Sequence, residues 1–433
     1  MVAINELLSW DQYFAVGGAL RHIEFDPVPG TLNCANFPAS VSTAPTQSME
    51  ISLYPAYNII SKMLYSDEEL RQDIMGIGGT SQWPTTIFRG IDQWGERYGY
   101  LLIDPIGGSI GAFAQGDGIN TGGQARTPIG QLPNVEHNEQ LFPLLFLYRK
   151  ELPDSGGAGK FRGGLSAESC FIPHNTDHIV QDTLSSGNAI PTSTGMMGGY
   201  PSTTNAYTFV RNSDILERMA DSHMVEDASE VTGESILLQL RQENFVQNAA
   251  DVYAVRWSGG GGFGDPLLRD PERIAHDLEH LNITPAAARD LFGAVLDADE
   301  HVDVAATAKN RDQIRAARLT RLGKGHAPRE IHSGEASLAA GDNLAVYGAS
   351  NAAHWACAHC AADLGPLADN YKDVCLREDL PVSASNPLVG DPFDFVDDAV
   401  AFRLFYCPAC GSQIDNEIAV ERDPVMRDIE LSL

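Results

Sequence analysis

Residues Pro153–Leu165 read PDSGGAGKFRGGL, and this stretch decides how the chain around it folds. Its five glycines and its Asp-Ser-Gly turn exclude a regular helix, because glycine reaches backbone angles that are closed to other residues. One apolar run precedes it at Leu141–Tyr148 (LFPLLFLY), and another follows at Ala167–Pro173 (AESCFIP). Both runs predict buried strands. The sequence therefore predicts a tight glycine loop between two buried strands.

The loop carries two cations, Lys160 and Arg162, close to Gly156 and Gly157. Exposed glycine amides beside basic side chains are typical of a site for an anion, so these four residues are candidate substrate or anion ligands. The alternative is a structural crossover where backbones pack closely. We favour the crossover, because the stretch contains no phosphate-loop signature.

A second glycine run, SGGGGFGDP at Ser258–Pro266, follows the predicted strand Val252–Trp257. It matches neither GxGxxG before a dinucleotide helix nor GxxxxGK[ST], and both nucleotide fingerprints are therefore rejected. Gly260 and Gly261 are candidate substrate contacts within this run. Turn chemistry favours the alternative, a structural transition between the strand and the following helix.

A histidine flanked by carboxylates comes immediately before the run LFPLLFLY. His137 lies between Glu136 and Glu139, and neighbouring negative charge raises the pKa of an imidazole toward neutral pH. Glu136 and His137 are therefore candidates for general acid–base catalysis. An exposed polar cluster with no catalytic role is the alternative.

The overall charge bounds the partners of the chain. Its 433 residues include 29 Lys and Arg against 58 Asp and Glu, a net charge of −29. This balance opposes binding to nucleic acid or to an anionic membrane, both of which need a positive surface. The start shows no basic segment followed by an apolar one, and no run approaches the length of a membrane span. We expect a soluble, cytoplasmic protein of two or three domains.

An alanine-rich helix is predicted at Val304–Leu322. It carries arginines at 311, 315, 318 and 321, and their spacing of three or four residues places them on one face. A solvated basic stripe is the interpretation that we favour. The alternative is a face that docks onto an acidic neighbour.

Two CxxC pairs stand in the last hundred residues. They are Cys357 with Cys360 and Cys407 with Cys410, and the second pair is followed by Gly411. Each pair predicts a knuckle whose turn directs two thiolates at one centre, and four thiolates are the ligand set of structural zinc. Such a site leaves no open position for water, so the metal is expected to hold the fold. The segment from residue 335 onward contains 17 acidic and 5 basic residues, which disfavours a DNA-binding ribbon.

The two glycine runs also carry a resemblance. GAGKFRGGL, followed a hundred residues later by SGGGGFGDPLLRDPERI, resembles the hydantoinase B/5-oxoprolinase family over roughly residues 10–320. The end of the chain, FYCPACGSQIDNEIAVERDPVMRDIEL, is similar to the small gamma subunit of acetone and acetophenone carboxylases.

These resemblances imply an α+β fold. Residues 1–322 are expected to form a β-rich, hydantoinase B-type body with peripheral helices. Residues 323–334 are expected to be a linker, and residues 335–433 a small zinc-ribbon-like domain. The family's chains are usually longer, so the N-terminal half of the body is expected to come from another polypeptide.

The resemblance further implies one subunit of a multi-subunit, ATP-dependent ketone carboxylase that is inactive alone. A hydantoinase A-type ATPase partner would bind ATP, with any divalent metal on the partner subunits, and bicarbonate-derived CO2 would be joined to an activated enol to give a 3-oxo acid. Asp117, Glu136 and His137 would lie near the reacting cavity. Two alternatives stay open: a subunit of an ATP-dependent cyclic-amide hydrolase, and a non-catalytic, zinc-bearing assembly subunit.

Overall fold

The computed structural model describes residues 16–31, 34–39, 41, 44–74, 84–124, 127–128, 130, 132–325 and 329–431. They form a mixed structure, mostly of antiparallel sheets, with a C-terminal domain that bears four close cysteines. The helices are α1 Val16–Ala19, α2 Ala44–Tyr65, α3 Val135–Leu141, α4 Ile215–Ala220, α5 Pro271–Glu279, α6 Pro285–Asp290 and α7 Val304–Leu322. The strands are β1 Thr85–Ile91, β2 Arg97–Leu101, β3 Gly123–Gln124, β4 Thr127–Pro128, β5 Leu144–Glu151, β6 Ala167–Pro173, β7 His178–Leu184, β8 Ala206–Arg211, β9 Glu234–Ile236, β10 Arg241–Asn248, β11 Val252–Arg256, β12 Leu338–Ala339, β13 Leu344–Tyr347, β14 His354–Cys357, β15 Asp363–Pro366, β16 Leu376–Pro381, β17 Val400–Tyr406 and β18 Gln413–Val420.

Two sheets build the body that precedes the cysteine domain. One has the strand order β10-β7-β1-β2 and the other the order β5-β6-β11-β8-β9. Their facing side chains form one apolar cluster, in which the ring centroids of Phe88 from β1 and Phe171 from β6 lie 6.2 Å apart. Ile215 of α4 packs with buried residues of β6, β8 and β11 in a further cluster. Strand β6 is therefore buried along almost its whole length, as its apolar sequence predicts.

The glycine loop joins β5 to β6, which pair antiparallel. The prediction of a tight loop between two buried strands is thus confirmed, with one correction at its start. Leu141 ends α3, and β5 begins only at Leu144. The helix is fixed at its start by Asn134, whose side-chain oxygen accepts a hydrogen bond from the backbone N–H of His137.

The two glycine runs pack directly against each other, backbone to backbone. The N–H of Gly157 donates to the carbonyl oxygen of Gly260 at 2.8 Å, and the N–H of Gly260 donates to that of Gly164 at 3.0 Å. A Cβ atom on Gly163 would lie only 1.8 Å from the carbonyl oxygen of Gly260. Any other residue at Gly163 would therefore force the two segments apart. This close backbone contact is what the structural interpretation of both runs predicts.

The C-terminal domain contains two small sheets, with the orders β12-β13-β14-β15 and β16-β17-β18. It shares an apolar core with the body: Leu376, Phe402 and Leu404 of β16 and β17 pack in one cluster with Ile274 of α5 and Phe292. Residues 330–332, within the predicted linker, already pair with this domain, since the N–H of Asp363 donates to the carbonyl oxygen of Glu330 at 2.8 Å.

The arginine face of α7 lies in the same junction. Arg318 is buried, donates to the carbonyl oxygen of Gly411 at 3.1 Å and lies over the ring of Tyr406 at 4.2 Å. Arg321 forms an ion pair with Glu378 of β16, and Arg311 is also buried. The prediction of a solvated stripe is wrong. The face docks onto the chain's own C-terminal domain. Helical spacing shows which residues share a face but not what covers that face, so the sequence does not predict this contact.

No helix in the described part of the chain combines the length and the apolar character that a membrane crossing requires.

Candidate functional site

The four cysteines of the two CxxC pairs meet at one point. Cys357 ends β14 and Cys360 lies in the turn toward β15, whereas Cys407 and Cys410 lie in the connection from β17 to β18. Their sulfur atoms all lie within 4.8 Å of one another. Two separate hairpins therefore each supply one pair of ligand atoms.

The sulfur positions fit a tetrahedral metal ion. The Sγ atoms of Cys357 and Cys410 are 3.8 Å apart, and those of Cys360 and Cys407 are 3.6 Å apart. A zinc ion with Zn–S bonds of about 2.3 Å would separate its sulfur ligands by about 3.8 Å. A disulfide would need a separation of about 2 Å. The residues present thus fit a four-thiolate metal site.

The backbone of each knuckle is closed by a hydrogen bond of the same kind. The N–H of Ala361 donates to the carbonyl oxygen of Cys357, and the N–H of Gly411 donates to that of Cys407, both at 2.9 Å. Ala361 and Gly411 have φ angles of 56° and 71°, in the left-handed region. The left-handed angle at Gly411 carries little steric cost, because glycine has no Cβ atom.

The apolar core of the C-terminal domain covers one side of the site. Cys357 and Cys407 are buried, and they belong to an apolar cluster with Trp355, Phe405 and Ile414. The close sulfur atoms also shift each other's pKa. The hydrogen bond with Cys360 raises the pKa of the Cys357 thiol, whereas the hydrogen bond with Cys357 lowers that of Cys410. A closed, four-sulfur arrangement of this kind holds a fold together and leaves no position for a substrate.

Asp117 lies in a buried ion-pair network next to the glycine runs. Its carboxylate receives both Nη atoms of Arg269, at 2.7 and 3.0 Å, and an Nη atom of Arg273 at 3.0 Å. It also accepts the backbone N–H of Arg162 at 2.7 Å. Burial alone would raise the pKa of Asp117, but the bonds from Arg269 outweigh it and lower the pKa. This carboxylate joins the first glycine run to Arg269.

The two predicted anion-binding cations are each paired within the chain. The Lys160 ammonium lies 2.9 Å from Asp342 of the C-terminal domain. The Arg162 guanidinium is buried, 3.4 Å from Asp277, and donates to the carbonyl oxygen of Gly163 at 2.6 Å. The structure thus separates the two cations, and the neighbouring glycines Gly156, Gly157, Gly260 and Gly261 lie in the backbone contact described above.

Glu136 and His137 lie elsewhere, on the exposed side of α3. Glu139, the other flanking carboxylate, accepts the backbone N–H of Phe146 at 2.8 Å and so ties the helix to β5. The structure therefore brings the four cysteines together, whereas Asp117 and the pair of Glu136 and His137 belong to different parts of the body.

Sequence reasoning missed a cleft of about 420 Å³ between the body and the C-terminal domain. Helix α2 and residues 192–201 form one wall, and β18 with residues 426–428 forms the other. Lys372, whose side chain is 2% exposed, lies 3.2 Å from both Asp415 and Asp428 and 3.6 Å from Glu417. Lys62 of α2 forms an ion pair with Asp428.

The charges in this cleft stabilise one another. Burial alone would raise the pKa of Asp428, but the two lysines outweigh it and hold the pKa well below its usual range. Burial alone would lower the pKa of Lys372, and its carboxylate partners raise it instead. These groups come from distant parts of the chain, so no local sequence signal identifies them.

Comparison with known proteins separates the chain into the same two parts. The family model for hydantoinase B/oxoprolinase matches residues 1–266, and the model for the acetone carboxylase gamma subunit matches residues 333–433. The chain is 27% identical to the acetone carboxylase alpha subunit of Xanthobacter autotrophicus over 279 residues, 60% of this chain and 36% of the relative. It is 28% identical to the acetophenone carboxylase delta subunit of Aromatoleum aromaticum over 281 residues, 61% of this chain and 40% of the relative.

Solved structures are similar over the body. A nucleotide-free structure of acetone carboxylase matches with a TM-score of 0.55 at 26% identity, over 63% of this chain and 38% of that one. The ATP-dependent caprolactamase of Pseudomonas jessenii shares the fold, with a TM-score of 0.54 at 19% identity, over 72% of this chain and 50% of that one.

The chain spans about two fifths of the length of the curated relatives that it matches. The resemblance predicted from the two glycine runs and the CPAC knuckle is confirmed, and the chain is homologous to acetone and acetophenone carboxylase subunits. Because the family model covers more than half of its residues, the chain belongs to the hydantoinase B/oxoprolinase family.

Proposed function

We propose that this chain is one subunit of an ATP-dependent ketone carboxylase of the acetone or acetophenone type. The observation that carries the proposal is the combination in one chain of a hydantoinase B part and a part that matches the acetone carboxylase gamma subunit. Other ATP-dependent members of the wider group share the body fold, as the caprolactamase does. The C-terminal match therefore favours carboxylation over amide hydrolysis.

The proposed reaction needs partner chains. A hydantoinase A-type ATPase would phosphorylate the enol form of the ketone, and another chain would supply the N-terminal half of the hydantoinase B body. The α-carbon of a ketone is a poor nucleophile. Transfer of the phosphoryl group from the enol phosphate to bicarbonate would release an enolate and carboxyphosphate, and carboxyphosphate breaks down to CO2 and inorganic phosphate. The α-carbon of the enolate would then attack this CO2 to form the 3-oxo acid. A cavity that holds both reactants and excludes water would favour this step.

Within this chain, the residues divide into two proposed roles. Glu136 and His137 are our proton-transfer candidates, since their exposed position on α3 leaves both side chains open to a partner or a substrate. Asp117 has a positioning role, because its carboxylate accepts the backbone N–H of Arg162 in the first glycine run while it pairs with Arg269 and Arg273. We propose that the glycine runs support the cavity wall and do not bind an anion.

The metal of the four-cysteine site is proposed to be zinc with a structural role. The Sγ separations support tetrahedral thiolate coordination, which zinc accepts without redox chemistry. Metal analysis of the Cys410→Ser variant tests it: the tightly held zinc is expected to fall well below one ion per chain. Cys34→Ser, which changes a cysteine outside the site, is the matched control and should retain the ion.

The function is tested on the complex purified with its co-expressed partners. ATP hydrolysis is expected to require both a ketone, either acetone or acetophenone, and bicarbonate, with a 3-oxo acid as product. ATP hydrolysis that responds to hydantoin or a lactam without bicarbonate would establish the amide-hydrolase alternative. Partners that carboxylate without this chain but fail to assemble into one complex without it would establish the assembly-subunit alternative.

The role of α3 is tested in the same assay. His137→Ala is expected to reduce carboxylation by about 10²–10⁴-fold, the usual contribution of general acid–base catalysis. His174→Ala, an exposed histidine on another loop, is the matched control and should leave the rate unchanged. Equal rates for both variants would remove His137 from the proposal.

A further inference from the structure

We propose that the C-terminal domain has a second metal site, formed by His332, His354 and Asp363, which binds an exchangeable divalent transition-metal ion. The three side chains offer two imidazole nitrogens and one carboxylate oxygen, all within 4.8 Å of one another. This site is separate from the four cysteines. It goes beyond the proposed carboxylase function and does not depend on which reaction the complex performs.

The donor atoms converge on one point. Nδ1 of His354 lies 2.7 Å from Oδ1 of Asp363, and Nε2 of His332 lies 3.3 Å from the same oxygen. Metal–ligand bonds of about 2.0–2.2 Å separate neighbouring ligand atoms in a tetrahedral site by about 3.3 Å. The His332–Asp363 separation already matches this distance, and the His354–Asp363 separation would have to open by about 0.6 Å to admit an ion.

The backbone of the domain fixes two of the ligands. His354 begins β14, Asp363 begins β15, and the two strands pair antiparallel. Successive side chains of a strand point to opposite faces, so His354 lies on the face of β14 opposite Cys357. The hairpin that holds one cysteine pair thus presents a second ligand pair on its other side.

The third ligand is held by packing. The His332 ring stacks on that of Tyr347, with centroids 4.8 Å apart and planes inclined by 11°. The preceding residue, Ile331, forms a bridge with Ala362. His332 and Asp363 are about one fifth exposed and His354 somewhat more, so the site is shielded yet open to an ion from solvent.

A second cluster of His and Asp side chains in the described residues lacks the features of a metal site. Asp297, Asp299 and His301 also lie close together, but all three are exposed on one turn. Asp297 Oδ1 is already used to accept the backbone N–H groups of Asp299 and His301, both at 2.9 Å. This cluster is an ordinary capped turn, and it provides a matched control.

The ligand type indicates which ions fit. Two imidazoles and one carboxylate bind Zn²⁺, Fe²⁺ or Co²⁺ and leave coordination positions for water or another oxygen ligand. Three protein ligands at a half-open site hold an ion less tightly than four thiolates, two of them buried, do. We therefore expect the ion at this site to exchange with solvent and to be removed by a chelator that leaves the four-cysteine site loaded.

The test uses the full chain without a histidine tag, dialysed against Zn²⁺ and analysed for metal before and after brief treatment with EDTA. The wild type is expected to hold two zinc ions and to lose one. His332→Ala and Asp363→Asn should each hold one ion, which EDTA does not remove, whereas Asp299→Asn should behave as the wild type.

Cobalt identifies the ligands directly. Added to the chain with zinc in its four-cysteine site, Co²⁺ is expected to give weak visible bands without the strong sulfur-to-cobalt charge-transfer band. These bands should be absent from His332→Ala. A wild type that holds one zinc ion only, or a second ion that survives in both variants, would overturn the proposal.

Discussion

Gly411 lies in the second knuckle and packs against helix α7. Replacing it with alanine therefore tests whether the metal site and the body are in direct contact. Its φ of 71° lies in the left-handed region. A Cβ atom at this position would lie 2.6 Å from the carbonyl oxygen of Arg315 and 3.1 Å from its carbonyl carbon. Both are backbone atoms of α7, so the helix or the knuckle has to shift.

The magnitude follows from three contributions. A left-handed non-glycine residue costs about 1–2 kcal/mol. Overpacking against backbone costs about 1–3 kcal/mol, and the less flexible unfolded chain returns about 0.4–1 kcal/mol. Gly411→Ala is therefore expected to lower the free energy of unfolding by about 1–5 kcal/mol.

Ala361→Gly is the matched control. Ala361 has the same position in the first knuckle and a φ of 56°, so glycine there relieves strain while it increases the freedom of the unfolded chain. The two effects nearly cancel, and the expected change is within about 1 kcal/mol. Both variants are compared by urea unfolding in the presence of zinc, with the release of zinc followed by a coloured chelator.

Equal stability of Gly411→Ala and the wild type, or an equal loss in both variants, would refute this reasoning. The first result would mean that α7 and the knuckle do not touch in solution. The second would mean that only the local turn matters and not the contact with Arg315.

Two further predictions concern the junction between the body and the C-terminal domain. Asp428→Asn removes one of the three carboxylates around buried Lys372 and is expected to cost about 1.5–3 kcal/mol of unfolding free energy at pH 7, whereas exposed Asp423→Asn costs less than about 0.5 kcal/mol. Because the folded-state pKa of Asp428 is below the unfolded value of about 3.9, its stabilisation is present at neutral pH and is lost as pH falls below about 4, so the two variants should converge in acid unfolding experiments. Arg318→Met leaves the buried carbonyl oxygen of Gly411 without its donor and is expected to lower the free energy of unfolding by about 1–3 kcal/mol in urea. The control, exposed Lys309→Ala, is expected to lower it by less than about 0.5 kcal/mol. Equal losses in the two variants would contradict the burial of the arginine face.

The features that the sequence predicts well are those set by neighbours along the chain. Each CxxC pair directs two sulfur atoms at one centre through its own turn, and Gly411 supplies the angle that this turn needs. The glycines of Pro153–Leu165 predict close backbone contact for the same reason, since only a residue without Cβ fits there.

The features that sequence reasoning misses depend on distant segments. The spacing of Arg311, Arg315 and Arg318 predicts one helical face, but it does not show that Arg311 donates to the carbonyl oxygen of Phe292 or Arg318 to that of Gly411. The ion pairs of Lys372 likewise join segments that no local pattern relates. Asp117 is a candidate catalytic carboxylate in the sequence, and its contact with Arg269, 152 residues away, is visible only in the structure.

The apolar cluster that Ile274 and Phe292 share with Phe402 and Leu404 changes how an assembly can form. The C-terminal family model describes a subunit, and here that part is covalently attached to the partner against which it packs. Attachment makes the contact intramolecular, so it avoids the loss of translational and rotational freedom, about 4–15 kcal/mol, that free polypeptides incur on association. The ratio of the two parts is thereby fixed at one to one, and dilution cannot dissociate them.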